Sequence, residues 1–443
     1  MAGLFALATL AGCSQSSDSA RPPAPEAPPA GAVEPAPRGP VGAEPGGHLA
    51  PPPSPGPGDQ AAAAAEGHGG NPLDDYIEQA AAYLQSAQLE DGSWEYFHAV
   101  TPDLASAEPH AVLFGTMMVL MNMTHTGFEG SAAFDRGAAF VRGRMLEGNV
   151  WSLYEPGAFS SESWFEPDAD DTAVALTLLA GRLDLSREEV AKLRALFDRH
   201  RDATGAYRTY FDGFHGDRGF VPDPDSASIG VNLNVLGFFG RYSLERSRLL
   251  AALTAMAGRD RYWESTPFYR SLPIIASLAS NAVEHGATEA EGLLGAFLDD
   301  AAIGDGPGLT PPGELGNLDL AAYIKARSHY CLLTAQPCRE LDLAVMVLAQ
   351  RRGKDGSWDP GPFYDYEVNH DALVAFLERR DFTRPRARGG VAFDVERALD
   401  SPGTMRYYDG SRAETTSFGL KALVFYRELI RRRQIFALAP RPE

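Results

Sequence analysis

An almost unbroken succession of helical segments between residues 73 and 433 is the feature that most constrains the fold. About twelve to fourteen segments, among them residues 341–348, 370–380 and 391–399, place apolar residues at helical spacing. No convincing run of alternating strand pattern lies between them. Hydrophobic residues make up 44% of the 443 positions, which is ample for a buried core. The sequence therefore predicts one all-α domain over residues 71–436.

The first residues have a composition of their own. Residues 1–12 are short and apolar, and Leu10-Ala11-Gly12-Cys13 matches a bacterial lipobox, in which the cysteine is acylated after cleavage. This predicts a lipoprotein signal peptide over residues 1–12 and lipidation of Cys13, although the leader lacks the usual positive charge. The alternative is an uncleaved, disordered N-terminus that happens to contain a cysteine.

Residues 13–70 are rich in Pro, Ala and Gly and have no apolar periodicity. They are expected to form a disordered tether of up to roughly 3 Å per residue. Ser14 after Cys13 favours sorting to the outer membrane. We therefore expect a lipid-anchored protein of the bacterial cell envelope, at the outer membrane or on the periplasmic face.

Three carboxylates fall within four positions in Asp168-Ala169-Asp170-Asp171-Thr172-Ala173. Crowded like charges and burial both raise the pKa of a carboxyl group, so such a cluster can keep an acid protonated. The weakest base that this acid would usefully protonate is a carbon–carbon double bond. The structural alternative is a helix N-terminus, where acidic residues after Pro167 cap free N–H groups before the apolar run 173–179.

A second motif occurs twice, as Gln88-Leu89-Glu90-Asp91-Gly92-Ser93-Trp94 and as residues 350–358, which begin with Gln350 and end in Gly356-Ser357-Trp358. Each copy follows a helical apolar segment. The glycine permits a tight turn, the glutamine can satisfy free backbone groups at a helix end, and the indole can stack on it. Such turns are expected to join neighbouring outer helices. Residues 148–151 and 202–207 are weaker versions of the same pattern.

Together the DxDDTA run and the two QW motifs resemble the squalene-hopene cyclase and prenyltransferase repeat family, and specifically the class II terpene cyclases. This resemblance implies an (α/α)6 toroid and a cyclase of the isomerase type, an intramolecular transferase or lyase. It implies proton-initiated cyclisation of an isoprenoid polyene, with Asp170 as the general acid and Asp168 and Asp171 supporting it. No cofactor is expected, and Mg²⁺ would be needed only for a substrate that carries a diphosphate.

Size is where the sequence departs from the family. Squalene-hopene cyclases contain two helical barrels, whereas this chain has room for one. A non-catalytic envelope lipoprotein that uses the toroid as a binding or interaction scaffold is therefore kept as the alternative function. The acid's hydrogen-bond partner is also open, with His110, His200 and His215 as candidates. Asn232 and Asn234 lie two positions apart on a helix, so only one of them can face a cavity.

Two further chemical possibilities involve cysteine and histidine. Zinc-assisted prenyl transfer would need a set of protein ligands, but only His329 resembles a ligand of that family and the Asp-x-Cys pair before it is absent. Cys331 and Cys338 can form a disulfide in an oxidising envelope, provided that the helix ends between them.

The net charge of −20 argues against nucleic acid as a partner. The expected partners are an isoprenoid or other apolar small molecule, together with a membrane reached through the lipid on Cys13. Because isoprenoid diphosphates are made in the cytoplasm, a cyclase in the envelope would act on a neutral or lipid-carried polyene.

Overall fold

A computed structural model describes residues 71–99, 108–110, 112–153, 164–214, 219–220, 227–259, 268–269, 271–367, 404–408 and 411–438. The predicted signal peptide, Cys13, the tether and the predicted helices 370–380 and 391–399 lie outside the described residues. The described part contains twelve α-helices: α1 (Pro72–Ala87), α2 (Leu113–Met123), α3 (Ala132–Gly143), α4 (Ala169–Leu178), α5 (Arg187–Arg199), α6 (Ile229–Arg241), α7 (Ser247–Ala257), α8 (Leu272–Glu284), α9 (Glu291–Ala301), α10 (Asn317–Leu333), α11 (Leu341–Gln350) and α12 (Ala413–Leu438).

The even-numbered helices form a closed inner ring. Each of α2, α4, α6, α8, α10 and α12 contacts the next one, and α12 contacts α2. The odd-numbered helices lie outside them; α1 packs on α12, α3 on α2, α7 on α6, α9 on α8 and α11 on α10. Because inner and outer helices alternate along the chain, the inner helices run in one direction and their N-termini meet at one end of the ring. The all-α (α/α)6 toroid predicted from the sequence is confirmed.

Burial follows this arrangement. All ten residues of α4 are buried, and its sequence is uniformly apolar or small after the first turn. In the outer helix α5, by contrast, only Leu193, Leu196 and Phe197 are buried. A helix enclosed on all sides loses its amphipathic pattern, whereas an outer helix keeps one apolar stripe.

The QW turns join an outer helix to the inner helix that follows it. The indole N–H of Trp94 donates to the carbonyl of Leu84 at 2.8 Å, and that of Trp358 donates to the carbonyl of Leu348 at 2.7 Å. Both indoles are buried. The weaker motif ending at Trp151 makes the same bond, to Val141 at 2.8 Å.

A second contact fixes each turn against the next inner helix. The backbone N–H of the aromatic residue donates to a side-chain oxygen on the fourth residue of that helix. The four pairs are Trp94 with Thr116, Trp151 with Thr172, Tyr207 with Asn232, and Trp358 with Thr416. Residues 148–151 and 202–207, weak in sequence, are therefore full members of the repeat.

The second QW motif differs from the first in one detail. Six residues before its tryptophan, where the first copy has Gln88, the second copy has Arg352 rather than Gln350. Gln88 accepts a hydrogen bond from Arg136 on the next outer helix, and Arg352 donates to Gln79 on α1. The same glutamine–arginine contact is made with the two residue types exchanged.

Short strands, which the sequence did not predict, lie between the helices. β1 (Tyr96–Ala99), β2 (Glu108–His110), β5 (Pro362–Glu367) and β6 (Thr404–Tyr408) form an antiparallel sheet in the order β2-β1-β6-β5. β3 (Trp164–Phe165) pairs in parallel with β4 (Gly219–Phe220). β1 lies between α1 and α2, and β6 lies between α11 and α12. The larger sheet therefore joins the first pair of helices to the last pair. Strands of two to six residues are too short for alternation to be recognised.

Candidate active site

The three aspartates lie at the N-terminal end of α4, and all three are buried. Asp168 is the N-cap, and its side chain accepts the backbone N–H of Asp171 at 2.7 Å. The capping alternative is therefore correct for Asp168, which does not prevent it from also belonging to a site. Asp170 and Asp171 lie in the first helical turn, where the positive end of the helix dipole favours negative charge.

The repeat turns hold this end of α4 in place. Thr172, the threonine of the motif, accepts the backbone N–H of Trp151 at 3.0 Å. The backbone N–H of Asp168 donates to the carbonyl of Trp151 at 3.1 Å, and that of Ala169 donates to the carbonyl of Thr209 at 2.6 Å. The aspartates therefore occupy a segment fixed on both sides by neighbouring connections.

Asp170 has two side-chain partners from other parts of the ring. The amide nitrogen of Asn234, on α6, donates to Oδ1 at 2.7 Å. The hydroxyl of Tyr269, just before α8, donates to Oδ2. Both donors are neutral, so they stabilise the carboxylate without neutralising it. Of the two asparagines, Asn234 contacts Asp170, while Asn232 anchors the repeat turn through Tyr207.

The environment raises the pKa of all three carboxyl groups. Burial raises the pKa of Asp170 to about 6, against the lowering effect of the hydrogen bonds from Tyr269 and Asn234. Burial is also the largest cause for Asp168 and Asp171. In that pair the negative charge of Asp168 and its contact with Asp171 raise the pKa of Asp171 well above the ordinary value. Burial and mutual repulsion therefore both disfavour two negative charges on this pair.

A small cavity adjoins the aspartates. Its volume is about 30 Å³, and the three carboxyl groups line it together with Phe114, Phe268 and Tyr269. A space of this size holds about one or two water molecules. The segments 154–163 and 260–267, which adjoin Leu153 and Phe268 in sequence, lie outside the described residues.

A second polar group, which the sequence did not reveal, lies within the ring. Lys325 on α10 donates to Asn122 at 3.0 Å and to Asn281 at 2.7 Å. Lys421 on α12 lies 2.7 Å from Glu284 at the end of α8, and both are buried. We call these five residues the lysine cluster. They come from α2, α8, α10 and α12, and Asn122, Asn281 and Glu284 lie near the C-terminal ends of their helices.

Burial and nearby charges shift the pKa values of the lysine cluster. Burial acts to raise the pKa of Glu284, but Lys421 and the other nearby cationic groups outweigh it, and the pKa falls to about 2. Burial lowers the pKa of Lys325 well below its ordinary value and lowers that of Lys421 as well. Burial also lowers the pKa of His285 to about 3, so this neighbour of Glu284 is neutral at pH 7.

Among the described side chains, the partners of Asp170 are Asn234 and Tyr269 and not the histidines that the sequence suggested. His200 lies at the end of α5, where its ring contacts Asp212 at 2.8 Å and the carbonyl of Leu196. Only the backbone of His110 is described, in β2, and His215 lies outside the described residues. His329, the zinc-ligand candidate, contacts Ser280 at 2.8 Å.

Cys331 and Cys338 form a disulfide, with their Cα atoms 6.2 Å apart. As expected, α10 ends between them, at Leu333. Within the described residues, the grouping of metal-ligating side chains contains these two cysteines and Glu340, and the disulfide occupies both sulfur atoms.

No protein-family model matches the chain, and no curated protein matches it. Solved structures do. The chain is similar to the type II terpene cyclase MstE from Scytonema, with 18% identity and a TM-score of 0.53, over 81% of this chain and 99% of that chain. It is also similar to a protein from Actinoplanes, with 18% identity and a TM-score of 0.52, over 80% of this chain and 99% of that one.

A third similar structure is an MstE variant in complex with geranylgeranyl dihydroxybenzoate, described as its substrate, with 18% identity and a TM-score of 0.52. The match covers 81% of this chain and 98% of that one. At this level of identity the similarity establishes the fold alone.

Proposed function

We propose that this protein is a class II terpene cyclase-like enzyme in which Asp170 starts cyclisation of an isoprenoid polyene by protonating a terminal alkene. The observation that carries the proposal is the environment of Asp170, a buried carboxyl group at a cavity with neutral donors on both oxygens. The fold shared with MstE supports the same chemical class.

The chemistry follows from the surroundings of the acid. Burial keeps a larger fraction of Asp170 protonated than in water, so a proton is available. When the alkene's π electrons take this proton, a carbocation forms on the carbon chain and Asp170 becomes a carboxylate. The hydrogen bonds from Asn234 and Tyr269 strengthen as that charge develops, which lowers the barrier to transfer.

Asp168 and Asp171 support the acid in two ways. Burial and their mutual repulsion raise the pKa of both groups, which favours one negative charge on the pair over two beside Asp170. Asp168 also caps α4 and so fixes the backbone on which Asp170 lies. No cofactor is required by this chemistry, and Mg²⁺ would enter only with a substrate that carries a diphosphate.

The proposed substrate class is an isoprenoid or related apolar molecule. The substrate named for MstE is geranylgeranyl dihydroxybenzoate. This name describes an isoprenoid chain on a dihydroxybenzoate and includes no diphosphate. That type of molecule agrees with the proposed location, a cell envelope reached through the lipidated Cys13 and the 13–70 tether.

One observation favours the second candidate, a non-catalytic envelope scaffold. The cavity at the aspartates has a volume of about 30 Å³ among the described residues, whereas ligand pockets usually enclose about 300–1,000 Å³. The scaffold function requires that the ring interior stays filled by side chains. The cyclase requires a cavity at the aspartates that is large enough to hold a polyene.

Incubation with candidate substrates separates the two functions. The full chain and its Asp170→Asn variant would be incubated with squalene, oxidosqualene, prenyl diphosphates and prenylated hydroxybenzoates, and the products analysed by mass spectrometry. A cyclised product that disappears in Asp170→Asn supports the cyclase. A folded protein that yields no product from any of these substrates and binds none of them in calorimetry supports the scaffold.

A further inference from the structure

We propose that Asp319 on α10 is a positioning residue for the acid: through Ser271 it fixes the start of α8, and so it holds the Tyr269 hydroxyl on Asp170. This inference rests on the proposed function, because it assigns a further residue to the site of the same reaction. Asp319 lies in the first turn of α10, which is opposite α4 in the ring. It belongs neither to the DxDDTA motif nor to the described residues that line the cavity.

The side chain of Ser271 joins α8 to α10. Ser271 is the N-cap of α8, and its oxygen accepts the backbone N–H of Ile274. Its hydroxyl donates to Oδ1 of Asp319. Because a serine hydroxyl has one hydrogen, this bond fixes the rotation of the hydroxyl and directs its lone pairs towards the start of α8. The cap of α8 therefore depends on an acceptor that α10 supplies.

Asp319 serves the neighbouring helix. An acidic residue in the first turn of a helix often stabilises only its own helix, through the helix dipole. The N-cap of α10 is Gly316, which makes no side-chain cap, and the described hydrogen bond of Asp319 goes to the cap of α8 instead. Asp319 is half-buried, and burial raises its pKa while the hydrogen bond from Ser271 lowers it. The serine hydroxyl therefore stabilises the carboxylate where water is partly excluded.

Tyr269 connects this cap to the acid. It lies two residues before Ser271, and its hydroxyl donates to Oδ2 of Asp170. Its ring lies against α6, where a Cβ atom added at Gly230 would be 2.0 Å from a ring carbon. With the ring held by α6, the start of α8 determines how far the hydroxyl reaches towards α4. Because hydrogen bonds weaken steeply with distance and misalignment, a shift of this start is expected to weaken the bond to Asp170.

The charge and the position of Asp319 make opposite predictions for Asp170. If the negative charge acted directly, its removal would favour the Asp170 carboxylate and lower the pKa of Asp170. If Asp319 acts by position, its removal withdraws a hydrogen-bond donor from that carboxylate and raises the pKa. The pKa of Asp170 is set by burial and by the hydrogen bonds from Tyr269 and Asn234. The sign of the change therefore separates the two mechanisms.

Carboxyl ¹³C NMR titration of Asp170 in the full chain tests the proposal without a substrate. Asp319→Leu removes the acceptor at similar size, and Ser271→Ala removes the donor. Both should raise the pKa of Asp170 by most of the rise that Tyr269→Phe produces. Asp319→Asn removes the charge but keeps an oxygen that can accept the serine hydroxyl, so it should leave the pKa close to that of the wild type. Added to Tyr269→Phe, Asp319→Leu should cause almost no further rise, because both act on one contact.

The start of α5 provides a matched control. Ser186 is the N-cap of this helix, and its hydroxyl also donates to a carboxylate, that of Glu189, at 2.7 Å. Because α5 begins where α4 ends, this pair lies at the other end of the ring. Ser186→Ala should lower the thermal stability as Ser271→Ala does but leave the pKa of Asp170 unchanged. Thermal unfolding verifies that each variant is folded, and if Asp319→Leu does not fold, Ser271→Ala tests the same step.

An unchanged or lower pKa of Asp170 in folded Asp319→Leu or Ser271→Ala would overturn the proposal. An equal rise in Asp319→Asn, or a full further rise when Asp319→Leu is added to Tyr269→Phe, would do the same. If the wild type cyclises a substrate, Asp319→Leu should lower kcat with little change in KM, since the acid is altered and the cavity is not. A raised pKa together with no product from any of the proteins would contradict the cyclase alone and leave the positioning role of Asp319 in place.

Discussion

The hydroxyl of Tyr269 donates a hydrogen bond to Oδ2 of Asp170 across 99 positions of sequence. Tyr269 precedes α8 and Asp170 lies in α4, so the contact spans the N-terminal end of the ring past α6. It places a neutral donor on the carboxyl group that the sequence motif identifies as the candidate acid. The contact can be tested by pKa and stability measurements on the protein alone, without a substrate.

Removing the hydroxyl should raise the pKa of Asp170. The hydrogen bond from Tyr269 favours the carboxylate, so in Tyr269→Phe the pKa should rise above its value of about 6. Carboxyl ¹³C NMR titration measures this directly. In the control Tyr242→Phe, which removes a hydroxyl that donates to the carbonyl of Leu176, the pKa of Asp170 should not change. An unchanged or lower pKa in Tyr269→Phe would contradict the assigned contact.

Gly230 should be required for the position of Tyr269. A Cβ atom added at Gly230, the second residue of α6, would lie 2.0 Å from a carbon of the Tyr269 ring. Overpacking of this kind costs about 1–3 kcal/mol, so Gly230→Ala should lower the free energy of unfolding and shift the pKa of Asp170 as Tyr269→Phe does. Urea unfolding and the same NMR titration measure the two effects.

Gly237 provides the control on the same helix. An added Cβ there would meet only the Cα of Ala282, at 3.5 Å, which is an ordinary contact. Because alanine is a better helix former than glycine, Gly237→Ala should leave the protein unchanged or stabilise it by up to about 1 kcal/mol. Equal destabilisation by both substitutions would mean that the Tyr269 ring is not the cause.

The raised pKa of Asp170 predicts a particular dependence of stability on pH. Between its ordinary value of 3.8 and about 6, the folded state binds more protons than the unfolded state. The free energy of unfolding contributed by this group therefore falls as pH rises through that interval. Asp170→Asn cannot ionise, so it should gain stability over the wild type with rising pH, by about 3 kcal/mol at most.

Urea unfolding at pH 4, 5, 6 and 8 measures this difference in stability between the two proteins. The pKa values of His285 and His329 are lowered to about 3 and 4, so these histidines change stability with pH in the opposite direction, but they do so in both proteins and cancel in the difference. Asp305→Asn makes the same substitution at an exposed aspartate and controls for the loss of a carboxyl group as such. If the Asp170→Asn curve runs parallel to that of the wild type, the carboxyl group is not buried in the folded protein.

Neutralising the one carboxylate of the lysine cluster should destabilise the folded protein. Glu284→Gln leaves Lys421 buried without its counter-ion, which is expected to cost about 3–5 kcal/mol of unfolding free energy. Glu188→Gln removes an exposed partner at the same kind of distance from Lys192 and should have almost no effect. Chemical denaturation compares the two, and a small effect of Glu284→Gln would show that Lys421 is not held by this ion pair.

The sequence predicted the parts of the molecule that depend on local pattern. Helical periodicity predicts the helices, and the turns at Trp94 and Trp358 carry the family resemblance that implies the toroid, because both signals are encoded within a few residues. The equivalence of Gln88 and Arg352 is hidden in the sequence because a second glutamine, Gln350, lies two positions before Arg352. Tyr207 looked weak as a repeat residue because its partner, Asn232, is an asparagine where the other turns use threonine.

The partners of Asp170 could not be read from the sequence. Asn234 and Tyr269 lie 64 and 99 positions away, and only the order of helices in the ring brings them together. The histidines suggested instead were plausible by residue type alone. For the lysine cluster, a lone lysine in an apolar helix gives no sign that asparagines or a glutamate face it from α2 and α8.

Cyclisation in deuterated water tests the central claim most directly. The full chain and Asp170→Asn would be incubated in D₂O with the isoprenoid substrates named above, and each product analysed by mass spectrometry. If Asp170 delivers the initiating proton, the wild type forms a cyclised product that contains one deuterium from the solvent, and Asp170→Asn forms none. A cyclised product without deuterium, or one formed equally by Asp170→Asn, would contradict the assignment of Asp170 as the acid.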